Sequence, residues 1–222
     1  MKNKVKNEIK KCIIVILCFL MIICCAGFKK EFKQFVIYID PGHGGIDGGC
    51  VGLDGTYEKD INLKISLELR DALINLGYLV EMTRVGDYDL ASESSNNRKK
   101  DDIHKRCEMM QQGDIFISIH CNSFPNSSVK GAQVFYSDDE EKELALSIQN
   151  CIKEMSNNTK REINRITDKY ILENINKRGC IVEVGFLSNQ EDLKDLKNPD
   201  YQRNIGYAIA IGINQYLNDL MQ

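Results

Sequence analysis

Phe35–Gly49 reads FVIYIDPGHGGIDGG, and the break inside it decides the architecture. Phe35–Asp40 is a short apolar run rich in β-branched and aromatic residues, which reads as a buried strand. Pro41 stops it, and Gly42, Gly44, Gly45, Gly48 and Gly49 make the next stretch a loop. Beyond the loop the period changes. Ile61, Ile65, Leu69 and Leu73 recur at four-residue steps, so Lys59–Leu76 reads as a helix that Gly77 ends.

The same alternation continues downstream. Tyr78–Thr83, Asp114–His120, Gly131–Tyr136 and Cys180–Val184 read as further strands. Helices are expected over Asp101–Gln112, about Asp138–Met155, near Asp168–Lys177 and over Tyr201–Leu220. Polar loops fill Gly86–Lys100 and Ser156–Arg165. No internal repeat or low-complexity tract interrupts the pattern. Strands joined by helices imply a single α/β domain over residues 31–222, with a mainly parallel twisted sheet flanked by helices. In such sheets, sites form beyond the carboxyl ends of the strands.

Upstream, the chain is of another kind. Lys2, Lys4, Lys6, Lys10 and Lys11 precede an uncharged apolar run from Cys12 to Phe28, and Lys29 and Lys30 close it. A basic segment followed by an apolar core is the pattern of an export signal. Cys24 and Ala26 fit a cleavage site only loosely, so residues 1–30 are expected to be a signal peptide or a membrane anchor. The body is then exported, with the basic flank on the cytoplasmic side.

Charge follows this division. Seven Lys and one Glu lie in residues 1–30, so of the chain's net −3 the remaining residues carry −9. An acidic body excludes a nucleic-acid partner, which needs a basic stripe to neutralise phosphates. Four of the nine cysteines fall in the leader. The other five, Cys50, Cys107, Cys121, Cys151 and Cys180, are scattered, odd in number and without C-x-x-C spacing. That pattern excludes a zinc ribbon or a disulfide scaffold. Trp is absent, which weakens the case for an aromatic sugar-binding platform.

Two of the three histidines follow strands: His43 in DPGHGG and His120 in SIHCN. Both would sit on one rim of the sheet, and together they suggest a metal. Catalytic zinc takes three protein ligands and leaves a position open, so a third donor is needed. Glu58, at the start of the first helix, and Asp47, in the glycine loop, are the two candidates. Cys121 is a poor one, because neighbours on a strand point to opposite faces. His104, in DDIHKR, reads as solvated surface. Glu183 stands in the apolar strand CIVEVGF. A carboxylate there is costly unless paired or coordinated. It is either a partner for Arg84 or Arg106, or a general base with a pKa raised by burial. The glycine loop is not a dinucleotide or P-loop cradle, since position 47 is Asp and no Lys-Ser/Thr follows.

Four motifs in order, DPGHGGIDGG, Glu58 with Asn62 four residues on, SIHCN and EVGFLSN, resemble the zinc-dependent N-acetylmuramoyl-L-alanine amidases. The resemblance covers Phe35 to about Leu217. It implies a peptidoglycan hydrolase that cuts the amide between N-acetylmuramic acid and L-alanine. It implies that His43, Glu58 and His120 bind Zn2+ and that Glu183 is the catalytic acid/base. TRVGDYDLA with RKKDDIHKR resembles the germination-specific branch of endospore formers, which implies a part in muramic δ-lactam formation in spore cortex. The chain departs from the family at Cys121, where Ala is frequent, and at Lys177-Arg178-Gly179, where a Pro is frequent. Gly86–Lys100 and Phe124–Lys130 are the expected walls of a substrate groove. An activating or positioning protein partner is also expected, since no wall-binding module is visible and an acidic body is repelled by an anionic wall. Two rival readings fit the same residues: another zinc hydrolase of the wall, a peptidase or deacetylase, and a membrane-tethered peptidoglycan-binding protein without activity.

Overall fold

A computed structural model of the chain describes residues 34–156 and 158–221. Six strands form one sheet: β1 (Val36–Pro41), β2 (Leu79–Met82), β3 (Ile115–Asn122), β4 (Gln133–Tyr136), β5 (Asn164–Arg165) and β6 (Arg178–Phe186). Their order across the sheet is β2-β1-β3-β6-β4-β5. Six helices accompany them: α1 (Glu58–Asn75), α2 (Arg98–Met110), α3 (Asp139–Ser156), α4 (Tyr170–Asn174), α5 (Gln190–Leu196) and α6 (Pro199–Leu220).

The sheet is mixed. β2, β1, β3 and β6 run parallel, while β4 pairs antiparallel with β6 and carries β5 alongside it. The reversal has a simple cause. A parallel return needs a crossover of about a dozen residues or more, usually through a helix. The link from β3 to β4 is shorter than that and holds no helix, so β4 comes back antiparallel.

Three expectations from the sequence need correction. The polar stretch before Arg165 ends in the short strand β5, whose two exposed residues give no apolar signal. The helix expected near Asp168–Lys177 shrinks to α4, because Asp168 adopts φ +73° and starts it late. The helix α5 was not expected at all. It is only seven residues long and is announced by Asn189, whose side chain accepts from the backbone N–H groups of Glu191 and Asp192. The expected signal or anchor, residues 1–30, lies outside the described residues. Among those described, no helix is long and apolar enough to cross a membrane.

The alternation of each strand sorts its side chains onto two faces. Ile37, Ile39, Ile117, Ile119, Val182 and Val184 face the larger core, shared with α1, α3 and α6. Phe116 and Ile181 face a smaller cluster that includes Met110 of α2 and Ile171 and Leu172 of α4. One step further along the same strands, this second face turns polar. Asp40, Ser118, His120 and Glu183 follow where Tyr38, Phe116 and Ile181 left off. Cys121 points the other way, into the larger core. The five body cysteines are free thiols, all buried except Cys50.

The transition from apolar to polar is organised by Asp40, which has no exposed surface. Its Oδ1 accepts from the Thr83 hydroxyl at 2.6 Å and from Arg106 Nη1 at 2.7 Å. Its Oδ2 accepts from the hydroxyl of Ser118, its register partner on β3, at 2.7 Å. Burial alone would raise the Asp40 pKa, but the Arg106 charge and the two hydroxyls outweigh it and hold the carboxyl below the ordinary range. Arg106 is held in turn by Asp102 at 2.7 Å, one turn back on α2.

Asp40→Asn keeps the volume but removes the charge that faces Arg106. The expected loss at neutral pH is about 3 kcal/mol, the low end for breaking a buried pair, because Asp102 remains. The depressed pKa gives the sign of the pH effect. The Asp40 contribution is fully present above the unfolded value of about 3.9 and is lost as pH falls through the lower folded value. Urea unfolding of both proteins across pH checks this: the gap between them closes below about pH 4. A gap that stays constant down to about pH 2 would contradict it.

Candidate metal and catalytic site

The loop Gly42–Tyr57 leaves the carboxyl end of β1 and is fixed by two buried arginines. Arg106 donates to the carbonyls of Pro41 at 2.8 Å and His43 at 2.7 Å. Arg84, just past β2, donates to the carbonyls of Pro41, Gly42, Lys59 and Gly86 at 2.8–3.0 Å. Burial and the neighbouring Arg106 push the Arg84 pKa down to about 10. Both arginines are therefore committed to the loop, and neither is the structural partner of Glu183. They add donors to backbone carbonyls at the strand ends, where an unpaired acceptor would be costly.

So held, the loop presents His43 with φ +62°, a left-handed conformation that costs a β-carbon-bearing residue roughly 1–3 kcal/mol. Its Nδ1 lies 2.9 Å from Asp47 Oδ2. That contact fixes the ring and leaves Nε2 facing inward, the usual arrangement behind a metal-binding imidazole. Asp47, a candidate third ligand from sequence, therefore braces His43 from behind. Its pKa is lowered: burial would raise it, and the bond to His43 more than offsets that.

Glu58 begins α1 and is almost fully buried. Its Oε2 accepts from the Cys50 amide at 2.8 Å. Its Oε1 accepts from the Cys121 amide at 3.1 Å and from Asn62 Nδ2 at 3.2 Å. The same Oε1 lies 3.2 Å from His43 Nε2 and 2.9 Å from His120 Nδ1. Burial would raise the Glu58 pKa, but bonds to His120 and His43 hold it far below the ordinary range.

Donor atoms of His43, Glu58 and His120 all lie within 4.8 Å of one another. Ligands about 2.0–2.1 Å from a tetrahedral zinc stand about 3.3 Å apart, so these separations fit a small divalent cation with little movement. Two imidazoles and one carboxylate also match the donor chemistry of zinc. Two glycines make the approach possible. A Cβ on Gly42 would lie 2.2 Å from His120 Cε1. A Cβ on Gly49, at φ +67°, would lie 2.6 Å from Glu58 Oε2 and 2.7 Å from His43 Cδ2. The glycines clear space for these three side chains, which gives the loop a reason to be glycine-rich without being a phosphate cradle.

Glu183 is the register partner of His120 on the adjacent strand, so both side chains leave the same face. Part of the residue reaches solvent, yet its Oε2 is buried with no hydrogen-bond partner among the described residues. Burial raises its pKa above the ordinary carboxyl value, against the pull of His120 and with a push from Glu58. An unpartnered carboxylate oxygen beside three converging donors is poised to accept a proton or a hydrogen bond from something that enters the site.

Other expectations fare unevenly. The Gly86–Lys100 loop is pinned to the glycine loop: Asp87 accepts from the Gly45 amide at 2.9 Å and from Lys59 Nζ at 2.8 Å, and Arg98 holds Asp89. His104 is half-buried against Tyr170, with ring centroids 5.2 Å apart, and is less solvated than its charged neighbours suggested. Asn62, quoted with Glu58 in the sequence motif, holds that carboxylate, whereas Asp40, Arg84 and Arg106 build the site without a sequence signal that assigns them that part. Thr83-Arg84 and Asp40 do stand at strand ends, the position where sites form, and that was the available signal.

Comparison with known proteins agrees with this geometry. The profile of the N-acetylmuramoyl-L-alanine amidase family matches residues 37–215. The germination-specific N-acetylmuramoyl-L-alanine amidase of Bacillus subtilis is 39% identical over 191 residues, which cover 83% of this chain and 80% of that protein. Among solved structures, the CwlD amidase from Clostridioides difficile in complex with the GerS lipoprotein aligns with a TM-score of 0.81 and 38% identity. That alignment covers 84% of this chain and 100% of the other. The catalytic domain of CwlV, an amidase from Bacillus (Paenibacillus) polymyxa, aligns at 0.75 with 28% identity, over 83% of this chain and 99% of the other. The chain therefore belongs to the N-acetylmuramoyl-L-alanine amidase family and is an enzyme of that class, a peptidoglycan amidase.

Asp47→Ala tests the bracing role. Metal affinity is expected to fall roughly 10- to 100-fold, the usual effect of losing a residue that orients a ligand. Competition against a graded chelator series on purified protein measures it. Unchanged affinity would remove Asp47 from the site, and complete loss of binding would make it a direct ligand.

Proposed function

We propose that the chain is a zinc-dependent hydrolase that cuts the amide between N-acetylmuramic acid and L-alanine, with His43, Glu58 and His120 holding the metal and Glu183 as general acid/base. The observation that carries this reading is the buried, unpartnered Glu183 Oε2 beside the His43, Glu58 and His120 donors. A zinc ion held by these three residues would supply Lewis acidity to the scissile carbonyl and to the attacking water. The chain's residues do the rest. Glu183, with its raised pKa, takes the proton of the attacking water and delivers it to the leaving alanine nitrogen. Asp47 holds the His43 ring in place, and the Cys50 and Cys121 amides and Asn62 hold the Glu58 carboxylate.

Residues 31–222 form the catalytic domain in this reading, and residues 1–30 export it or tether it to the membrane, outside the cytoplasm. A role in making muramic δ-lactam in spore cortex is supported by 39% identity to the germination-specific amidase. A positioning or activating protein partner is supported by the similar amidase solved with a lipoprotein. A dead wall-binding protein does not suit a site with every donor in place. Digestion of purified peptidoglycan by the zinc-loaded protein, read by product mass, tests the bond cut. Separated stem peptides and intact glycan support the amidase. Shortened peptides or released acetate would assign a peptidase or deacetylase.

The two glutamates are expected to fail differently. Glu58→Gln replaces a charged donor with a weak neutral one, so zinc stoichiometry and activity fall together. Glu183→Gln keeps size and polarity but cannot take a proton, so zinc stays while turnover drops roughly 10²–10⁴-fold. Metal analysis beside activity measures both. Zinc lost from Glu183→Gln and kept in Glu58→Gln would reverse the assignment, and near-normal turnover in Glu183→Gln would sink the mechanism.

A further inference from the structure

Arg161 stands apart from the other arginines near the site. Its Nε donates to the Lys130 carbonyl at 2.8 Å and its Nη1 to Gln133 Oε1 at 3.0 Å. Its guanidinium lies over the Phe186 ring, 4.9 Å from the centroid. All these partners are neutral, and among the described residues no carboxylate pairs with it. The segment that carries it is held firmly. Thr159 Oγ1 donates to the Ala132 carbonyl at 2.8 Å and accepts from the Arg161 amide at 3.1 Å. Asn158 donates to the Tyr201 hydroxyl at 2.9 Å, and that hydroxyl donates to the Val184 carbonyl of β6 at 2.8 Å. A fixed, uncompensated guanidinium in a body of net charge −9 is a pre-organised anion site.

Its position relates it to the chemistry. Gln133, which Arg161 grips, is the register partner of Glu183 across β4 and β6. Neighbouring strands are about 4.8 Å apart, so the guanidinium lies within roughly two residues of extended chain from the catalytic carboxylate. An open pocket of ≈ 670 Å³ adjoins it, walled by residues 128–130 and 158–161. Lys160 adds an exposed charge there, while Lys130 is already paired with Glu191.

The substrate of an amidase carries its anions on one side only. The muramic carboxyl is consumed in the scissile amide, and N-acetylated sugars are neutral, whereas the stem peptide keeps free carboxylates. Resting on the amidase reading, we propose that Arg161 is a specificity residue that binds a stem-peptide carboxylate one or two residues beyond the scissile bond. The peptide then leaves Glu183 toward β4 and the 128–130 wall, which fixes the direction in which the substrate lies.

The test uses the zinc-loaded full chain and its Arg161→Gln and Arg161→Lys variants. Soluble peptidoglycan fragments are prepared in three forms: stem carboxylates free, only the one next to alanine amidated, or only those further along amidated. Wild type is expected to prefer the free form. Arg161→Gln is expected to lose roughly tenfold in kcat/KM on it, through KM, the size of one charge-assisted hydrogen bond. On the form lacking the relevant carboxylate the loss is less than about twofold, so folding damage is controlled internally. Arg161→Lys falls between, and the amidated form that wild type discriminates against identifies which carboxylate is bound. Equal loss on all forms, or no discrimination by wild type, overturns the proposal while leaving the amidase reading intact. No cleavage of any form by wild type overturns both.

Discussion

The buried contact between Asp40 and Arg106 is what the rest of the site leans on. Asp40 lies next to the last residue of β1 and ties that strand to Thr83 beyond β2 and to Ser118 on β3. Arg106 carries that anchor across to the carbonyls of Pro41 and His43. One ion pair thus connects three strand ends, a helix and the loop that bears a proposed metal ligand. Such a pair is weak evidence for net stability, because desolvating two charges offsets much of their attraction. Its value here is positional. His43 sits in an unfavourable backbone conformation, and a loop free to relax would leave it.

The second consequence concerns how tightly the pieces approach. His43 comes from the loop, Glu58 from the start of α1 and His120 from the end of β3, three elements that meet only in the tertiary fold. Their donor atoms converge because nothing fills the space between the elements. Gly42 lies against the His120 ring, and Gly49 lies against Glu58 and His43. Arg84 closes the far side by tying the loop to the start of α1 through the Lys59 carbonyl. Side chains on either glycine would push these three residues apart.

Much of this was legible in the sequence, for physical reasons that also mark where legibility ended. β1 and β3 are continuous apolar runs, and α1 repeats its apolar residues every four positions, so burial left a clear trace. His43, Glu58 and His120 stood out because His is scarce and each lies at an element end. Glu183 stood out as a charge in an apolar strand. What failed was long-range or low-contrast. β5 is two exposed polar residues and α5 a single short run. The reversal of β4 depends on a missing crossover helix. Asp40 and Arg106 are 66 positions apart in the chain, and no periodicity announces a pairing between them. Even Asp47 was noticed for its donor chemistry, and only geometry showed that it backs His43 instead of joining the donor cluster.

The way Glu58 is held bears on how metal and fold are related. In small metal-dependent domains the ligands are unordered until the ion arrives, and binding is folding. Here Glu58 is fixed by the Cys50 and Cys121 amides and by Asn62, none of which requires a cation. His43 is fixed by Asp47 on the outside and by Arg106 through its carbonyl. The pocket is therefore assembled by the core and the arginine-bound loop, and a cation would enter a site already shaped. Its entry has a proton cost instead. The His43 pKa is raised by Glu58 and Asp47 against the effect of burial, so the ring holds a proton more tightly than a free imidazole does. An imidazolium cannot donate a lone pair, so that proton must leave as a metal is bound. Affinity then rises with pH through the same two carboxylates that hold the ring in place, and position and acidity in this site are set by one set of contacts.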